Sequence, residues 1–106
     1  MKIGVELEGW LLKLTSPITT HAVETVAEAD GVCFLCPKCF SDGGRVGTHS
    51  IICWKPHIPQ DIPPRPGRWA MMGNTILDLT LEPSVNLDTD PQNCKAHFFI
   101  RNGEIQ

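Results

Sequence analysis

Val32-Cys33-Phe34-Leu35-Cys36-Pro37-Lys38-Cys39 sets the reading of this chain, because a short apolar run delivers a C-x2-C pair directly into a turn. Asp30-Gly31 just before it is a turn signal, so Val32–Leu35 reads as a strand that ends at Cys36. A second pair, C-x2-H, stands far along the chain at Cys94-Lys95-Ala96-His97. A two-residue spacer lets a tight turn aim both side chains at one point, and two such pairs supply the four soft or borderline ligands of a tetrahedral Zn2+. Cys36, Cys39, Cys94 and His97 are therefore the predicted ligands of a structural zinc. Three thiolates and a neutral imidazole leave about one net negative charge. Lys38 and Lys95, each inside a ligand turn, would offset it.

The other cysteines and histidines have different expected places. Cys33 lies three residues before Cys36, an odd offset on a strand, so its side chain should point away from Cys36 and into a core. Cys53, beside Ile51, Ile52 and Trp54, also reads as core. His49 shares a strand face with Ile51 and Cys53, and three roles stay open for it: a histidine at the core edge, a partner that orients a ligand, or a further ligand that would make the site catalytic. His21 and His57 stand in polar or proline-rich surroundings and read as exposed. Thioredoxin-like chemistry would need the C-x2-C to open a helix, and Phe40-Ser41-Asp42-Gly43-Gly44 is poor helix sequence.

Outward from these motifs the pattern is β. Ile3, Val5 and Leu7 alternate with Lys2, Gly4, Glu6 and Glu8, the period-2 signature of a half-buried strand over residues 1–14. Thr19–Asp30 reads as a strand followed by a helical turn, the one short helical element expected. Val46–Trp54, Arg68–Met72, Ile76–Leu81 and His97–Ile100 read as further strands, and Asn102-Gly103 marks a two-residue hairpin before Glu104-Ile105. Alternation in that hairpin puts His97, Phe99 and Arg101 on one face. Residues 55–67 form a proline-rich loop whose five prolines exclude a central strand. The fold expected is a small antiparallel β-domain over residues 1–106, stapled by one zinc that ties the loop after Leu35 to the start of the C-terminal hairpin. Trp10, Trp54, Trp69, Phe34, Phe98 and Phe99 are the expected aromatic core.

The chain's 106 residues, 42% hydrophobic and 20% charged, fit one modest core. A net charge of −3 argues against a protein that coats polyanions indiscriminately. Residues 38–68 are locally basic, with Lys38, Arg45, Lys55, Arg65 and Arg68 against Asp42 and Asp61. Five cysteines, three of them within seven residues, suit metal ligation in a reducing compartment. No apolar run approaches the length of a membrane span, and Glu6 and Glu8 fall where a signal peptide would be apolar. A cytoplasmic protein with no membrane partner is expected. No H-E-x-x-H, nucleophile elbow or phosphate loop is present, and Glu82 before Pro83-Ser84 is the only acid singled out as a base.

The ordered set Phe34–Cys39, Leu79-Thr80-Leu81-Glu82-Pro83-Ser84-Val85 and Cys94–Ile105 resembles the DUF6527 family, small zinc-binding proteins of bacterial genomes and phages with no known reaction. The resemblance implies that Cys36, Cys39, Cys94 and His97 are the ligands, that Thr80–Val85 packs near the site, and that the chain is phage-borne. The expected function is a zinc-stabilised phage or prophage accessory protein, non-enzymatic, binding a protein partner through the proline-rich loop. Two alternatives stay open: a small zinc hydrolase using His49, Glu82 and a metal-bound water, and nucleic-acid binding through residues 38–68. Native mass spectrometry should find one zinc on the wild-type chain and none on Cys94→Ser; a reduced, metal-free wild type would return the cysteines to core or redox roles.

Overall fold

The alternation of side chains on paired strands decides where this chain buries its apolar surface. The computed structural model describes residues 1–16, 19–87 and 94–106. Its elements are β1 (Trp10–Ser16), β2 (Thr19–Val23), β3 (Gly31–Leu35), α1 (Pro37–Gly43), β4 (Ser50–Trp54), β5 (Ala70–Met72), a 3-10 turn at Ile76–Asp78, β6 (Thr80–Asn86), β7 (His97–Arg101) and β8 (Glu104–Ile105). The strands form two antiparallel sheets, β2-β1-β3-β4 and β5-β6-β7-β8. The mainly β architecture with one short helix is thus the fold adopted. Among the described residues no helix is long and apolar enough to cross a membrane.

One core is shared by the two sheets. Leu11, Val32, Phe34, Ile51 and Cys53 come from the first, Leu81, Val85, Phe98 and Ile100 from the second, and all nine are buried. Phe34 and Phe98 meet edge to face across the layer, with ring centroids 6.0 Å apart. The opposite face of the first sheet carries a smaller cluster of Leu12, Trp54 and Ile58. Trp54 and Phe98 are buried as expected, but Trp10 is 39% exposed. Trp69 only packs against the core from its margin.

Several local expectations are corrected. Residues 3–7 form turns rather than a strand, closed by Leu7 N–H to the Lys2 carbonyl and followed by Gly9 N–H to the Ile3 carbonyl. In that winding Ile3 and Leu7, four apart, both face inward while Val5 is 58% exposed. The helix sits at Pro37–Gly43 and not after β2. Its residues are weak helix formers, but Pro37 stands at the first turn and Gly44, with φ +71°, donates back to the Phe40 carbonyl. These are stop and start signals that outweigh propensity in so short a helix. Ile76–Asp78 is a 3-10 turn capped by Thr75 and Asp78, so β6 begins only at Thr80.

The proline-rich segment packs its Ile58 and Ile62 against the first sheet. Prolines leave carbonyls without local N–H partners. Arg68 supplies them, donating to the carbonyls of Ile58, Pro59, Ile62, Pro64 and Gly67 at 2.6–3.0 Å. Trp54 Nε1 donates to the Pro63 carbonyl. The rest of the basic stretch is also engaged: Arg45 pairs with Glu8 at 2.8 Å, Lys55 donates to the Val26 carbonyl and Arg65 to the Gln60 carbonyl.

Asp30, the one charged residue buried among those described, ties β1 to this segment by accepting from Leu14 N–H at 2.8 Å and from His57 at 2.9 Å. Burial pushes its carboxyl up, but the Leu14 N–H, the His57 ring and Lys13 together pull it below the ordinary 3.8. A lowered folded-state value adds stability that is present above the unfolded pKa and is lost as pH falls through the folded one. Asp30→Asn should therefore cost about 1–2 kcal/mol at pH 7 and progressively less below pH 4, read by urea unfolding across that range.

Candidate active site and metal centre

Cys36 caps α1, Cys39 lies in its first turn, His49 immediately precedes β4 and Cys94 comes three residues before β7. The Cys36 N–H donates to the His49 carbonyl at 2.9 Å, holding the two approaches together. As a result the ligand atoms of Cys36, Cys39, His49 and Cys94 lie within 4.8 Å of one another and could hold a metal ion. Cys36 Sγ stands 3.8 Å from Cys94 Sγ, and His49 Nε2 stands 3.3 Å from Cys94 Sγ. A tetrahedron with metal–sulfur bonds of about 2.3 Å has edges of about 3.8 Å, so the donor set and its spacing fit. Lys38 Nζ donates to the Cys94 carbonyl at 2.6 Å, placing a positive charge beside the thiols.

C-x2-C does open a helix here, contrary to the sequence expectation. Burial, reinforced by the Cys39 and Cys94 thiols, nevertheless pushes the free Cys36 thiol up to about 12. A redox motif needs the opposite shift. Cys53 is fully buried, its thiol pushed up by burial, and Cys33 is half-buried in the smaller cluster, both as core positions.

His97 is placed elsewhere. Lys95, with φ +57°, turns the chain between Cys94 and β7, and Phe98 and Ile100 then point into the core while His97 and Arg101 are exposed. Phe99 shares their face, its ring centroid 6.3 Å from that of His97 and 4.3 Å from the Arg101 guanidinium. On that face His97 Nε2 meets Ser84 Oγ at 2.9 Å. β6 is irregular here: Leu81 pairs with Ile100 and Val85 with Phe98, so four residues advance on β6 against two on β7. The excess chain at 82–84 is a bulge, and Ser84, beside the Val85↔Phe98 pair, stays on the His97 face of the sheet. The Trp69 indole N–H donates to the Ser84 carbonyl at 3.2 Å and pins the bulge from the other side.

A serine hydroxyl within hydrogen-bond reach of a histidine nitrogen is the elementary unit of nucleophilic acyl transfer. The pair bridges two depressions. Ser84 lines a groove of about 510 Å3 together with His49, Ile52, Arg65 and Trp69. His97 lines a cleft of about 540 Å3 with Lys38, Ser41 and Lys95.

Residues 12–106 match the family model for BubE, the bacterial ubiquitination-like system serine protease. The chain belongs to the BubE family. Comparisons with curated proteins and with solved structures gave no match. The BubE match replaces the DUF6527 assignment, and it overturns the non-enzymatic phage accessory module expected from that resemblance.

Sequence reasoning missed Ser84 because its partner is 13 residues away and meets it only once β6 and β7 pair. The available signal was Pro83-Ser84 on a strand whose neighbour begins with an outward histidine. Glu82, the acid singled out as a base, is exposed on β6 opposite Ala70. His49→Ala should weaken Zn2+ binding by at least about 100-fold, whereas His97→Ala should leave it within about three-fold, measured by chelator competition. The reverse order would restore His97 to the ligand set.

Proposed function

We propose that this BubE-family chain is a serine hydrolase of amide bonds, with Ser84 as nucleophile and His97 as general base, on a framework held by one structural zinc. The Ser84 Oγ to His97 Nε2 contact of 2.9 Å carries the reading. With Nε2 unprotonated, the Ser84 hydroxyl donates to it. Attack of Oγ on the substrate carbonyl carbon passes the hydroxyl proton to Nε2, and that proton then goes to the leaving amine as the C–N bond breaks. Water next attacks the Ser84 ester, again losing a proton to His97, and Ser84 Oγ recovers it as the acid is released. The histidine must reach the leaving amine, so the cleft beside His97 suits the amine side and the groove beside Ser84 suits the acyl side.

Cys36, Cys39, Cys94 and His49 are the proposed zinc ligands, three soft thiolates and an imidazole favouring Zn2+ over hard cations. They fill a tetrahedron, and the chemistry falls to the serine. Cys94 lies three residues ahead of His97, so a metal held by Cys94 would fix where β7 begins and hence where the base stands.

A small fluorophosphonate should label the wild type at Ser84, found by peptide mapping. Ser84→Ala should abolish labelling, and His97→Ala should slow it by at least about 10^3-fold. Labelling that persists in Ser84→Ala would end the assignment.

A further inference from the structure

The antiparallel pairing of β4 leaves a recognisable pattern on its free side. Cys36 N–H bonds to the His49 carbonyl and Lys55 N–H to the Asp30 carbonyl, both at 2.8–2.9 Å. Hydrogen-bonded pairs alternate with non-bonded ones along such a ladder. The register Phe34↔Ile51 and Val32↔Cys53 therefore continues the bonded set, while Leu35↔Ser50, Cys33↔Ile52 and Gly31↔Trp54 are the non-bonded pairs. Residues of non-bonded pairs turn N–H and C=O away from the partner strand. β4 is the edge of its sheet, so Ser50, Ile52 and Trp54 turn theirs outward. The Trp54 carbonyl confirms the direction, since it accepts from Trp69 N–H at 2.9 Å.

That free edge lies in the reactive groove. Ser50 and Ile52 line the same depression as Ser84. Trp69 spans the two, its backbone N–H on Trp54 and its indole N–H on the Ser84 carbonyl. Pro64 and Pro66 form part of the wall, and as prolines they offer no N–H that would compete for the edge.

We propose that the acyl side of the substrate binds as an extended peptide strand added to the free edge of β4. The proposal rests on the Ser84–His97 reading. The substrate main chain exchanges hydrogen bonds with Ile52, and Trp69 closes the Trp54 end, so the added strand stops beside Ser84. Recognition by main-chain groups tolerates many side chains and demands that the cleaved segment be unfolded or extended. A chain end or flexible tail meets that demand; a bond inside a helix or a tight turn does not.

Ile52→Pro removes the outward N–H without touching the bonds to β3, and proline is tolerated where a strand's N–H faces out. The probes are a small fluorophosphonate, which reads Ser84 and His97 alone, and a proteome-derived peptide library read by mass spectrometry. Labelling should stay within about two-fold of wild type while cleavage across the library falls at least about 30-fold. Where the proline variant does not fold, an amide-to-ester replacement at Ile52, made by ligation at Cys53, deletes the same N–H and keeps the side chain. Unchanged library cleavage in a labelled variant would overturn strand addition, as would a labelled wild type that cleaves no library peptide. Wild type that fails to label at Ser84 would instead remove the serine hydrolase reading beneath it.

Discussion

The convergence of Cys36, Cys39, His49 and Cys94 is the constraint on which the rest of the site depends. These side chains come from the head of α1, the residue before β4 and the approach to β7, and so from both sheets. Bringing such distant segments together costs loop-closure entropy that a small core repays only in part. A metal held there would convert its coordination energy into folding energy at that juncture. The Phe34–Phe98 contact nearby adds apolar area to the same seam. Without the seam, β7 would have no fixed relation to α1 and β4.

From that anchor, the Ser84–His97 contact follows by strand geometry. Cys94 turns inward, Lys95 reverses the local backbone, and β7 then alternates with His97 on its outer face. Pairing of β6 with β7 brings Ser84 Oγ to 2.9 Å from His97 Nε2. Arg68 works at longer range. By holding five carbonyls of the proline-rich segment it builds the wall of the groove and sets Trp69 against both β4 and Ser84. The proline-rich segment, read from composition as an ordered connection or a binding arm, lines the groove beside Ser84.

What the residues showed in advance was uneven for physical reasons. β3, β7 and the Asn102-Gly103 hairpin were legible because alternation and turn chemistry are local. Residues 3–7 alternate just as cleanly and still form turns, closed by their own backbone bonds, while Ile3 and Leu7 are buried and Lys2 bridges to Glu104. Three cysteines of the metal cluster were read from spacing. The histidine was assigned to the nearer C-x2-H partner, whereas the structure brings His49 to the thiols and His97 to Ser84.

By itself the sequence determined a mainly β chain with a cysteine cluster suited to a metal, because strand periodicity and C-x2-C spacing are short-range patterns written within a few residues. Which histidine joins the cysteines, and which serine meets the other, only the tertiary structure decided. The reason is directional: a side chain's partner is set by which face of a strand it occupies and by which strand pairs beside it. Neither is encoded in the distance between residues along the chain.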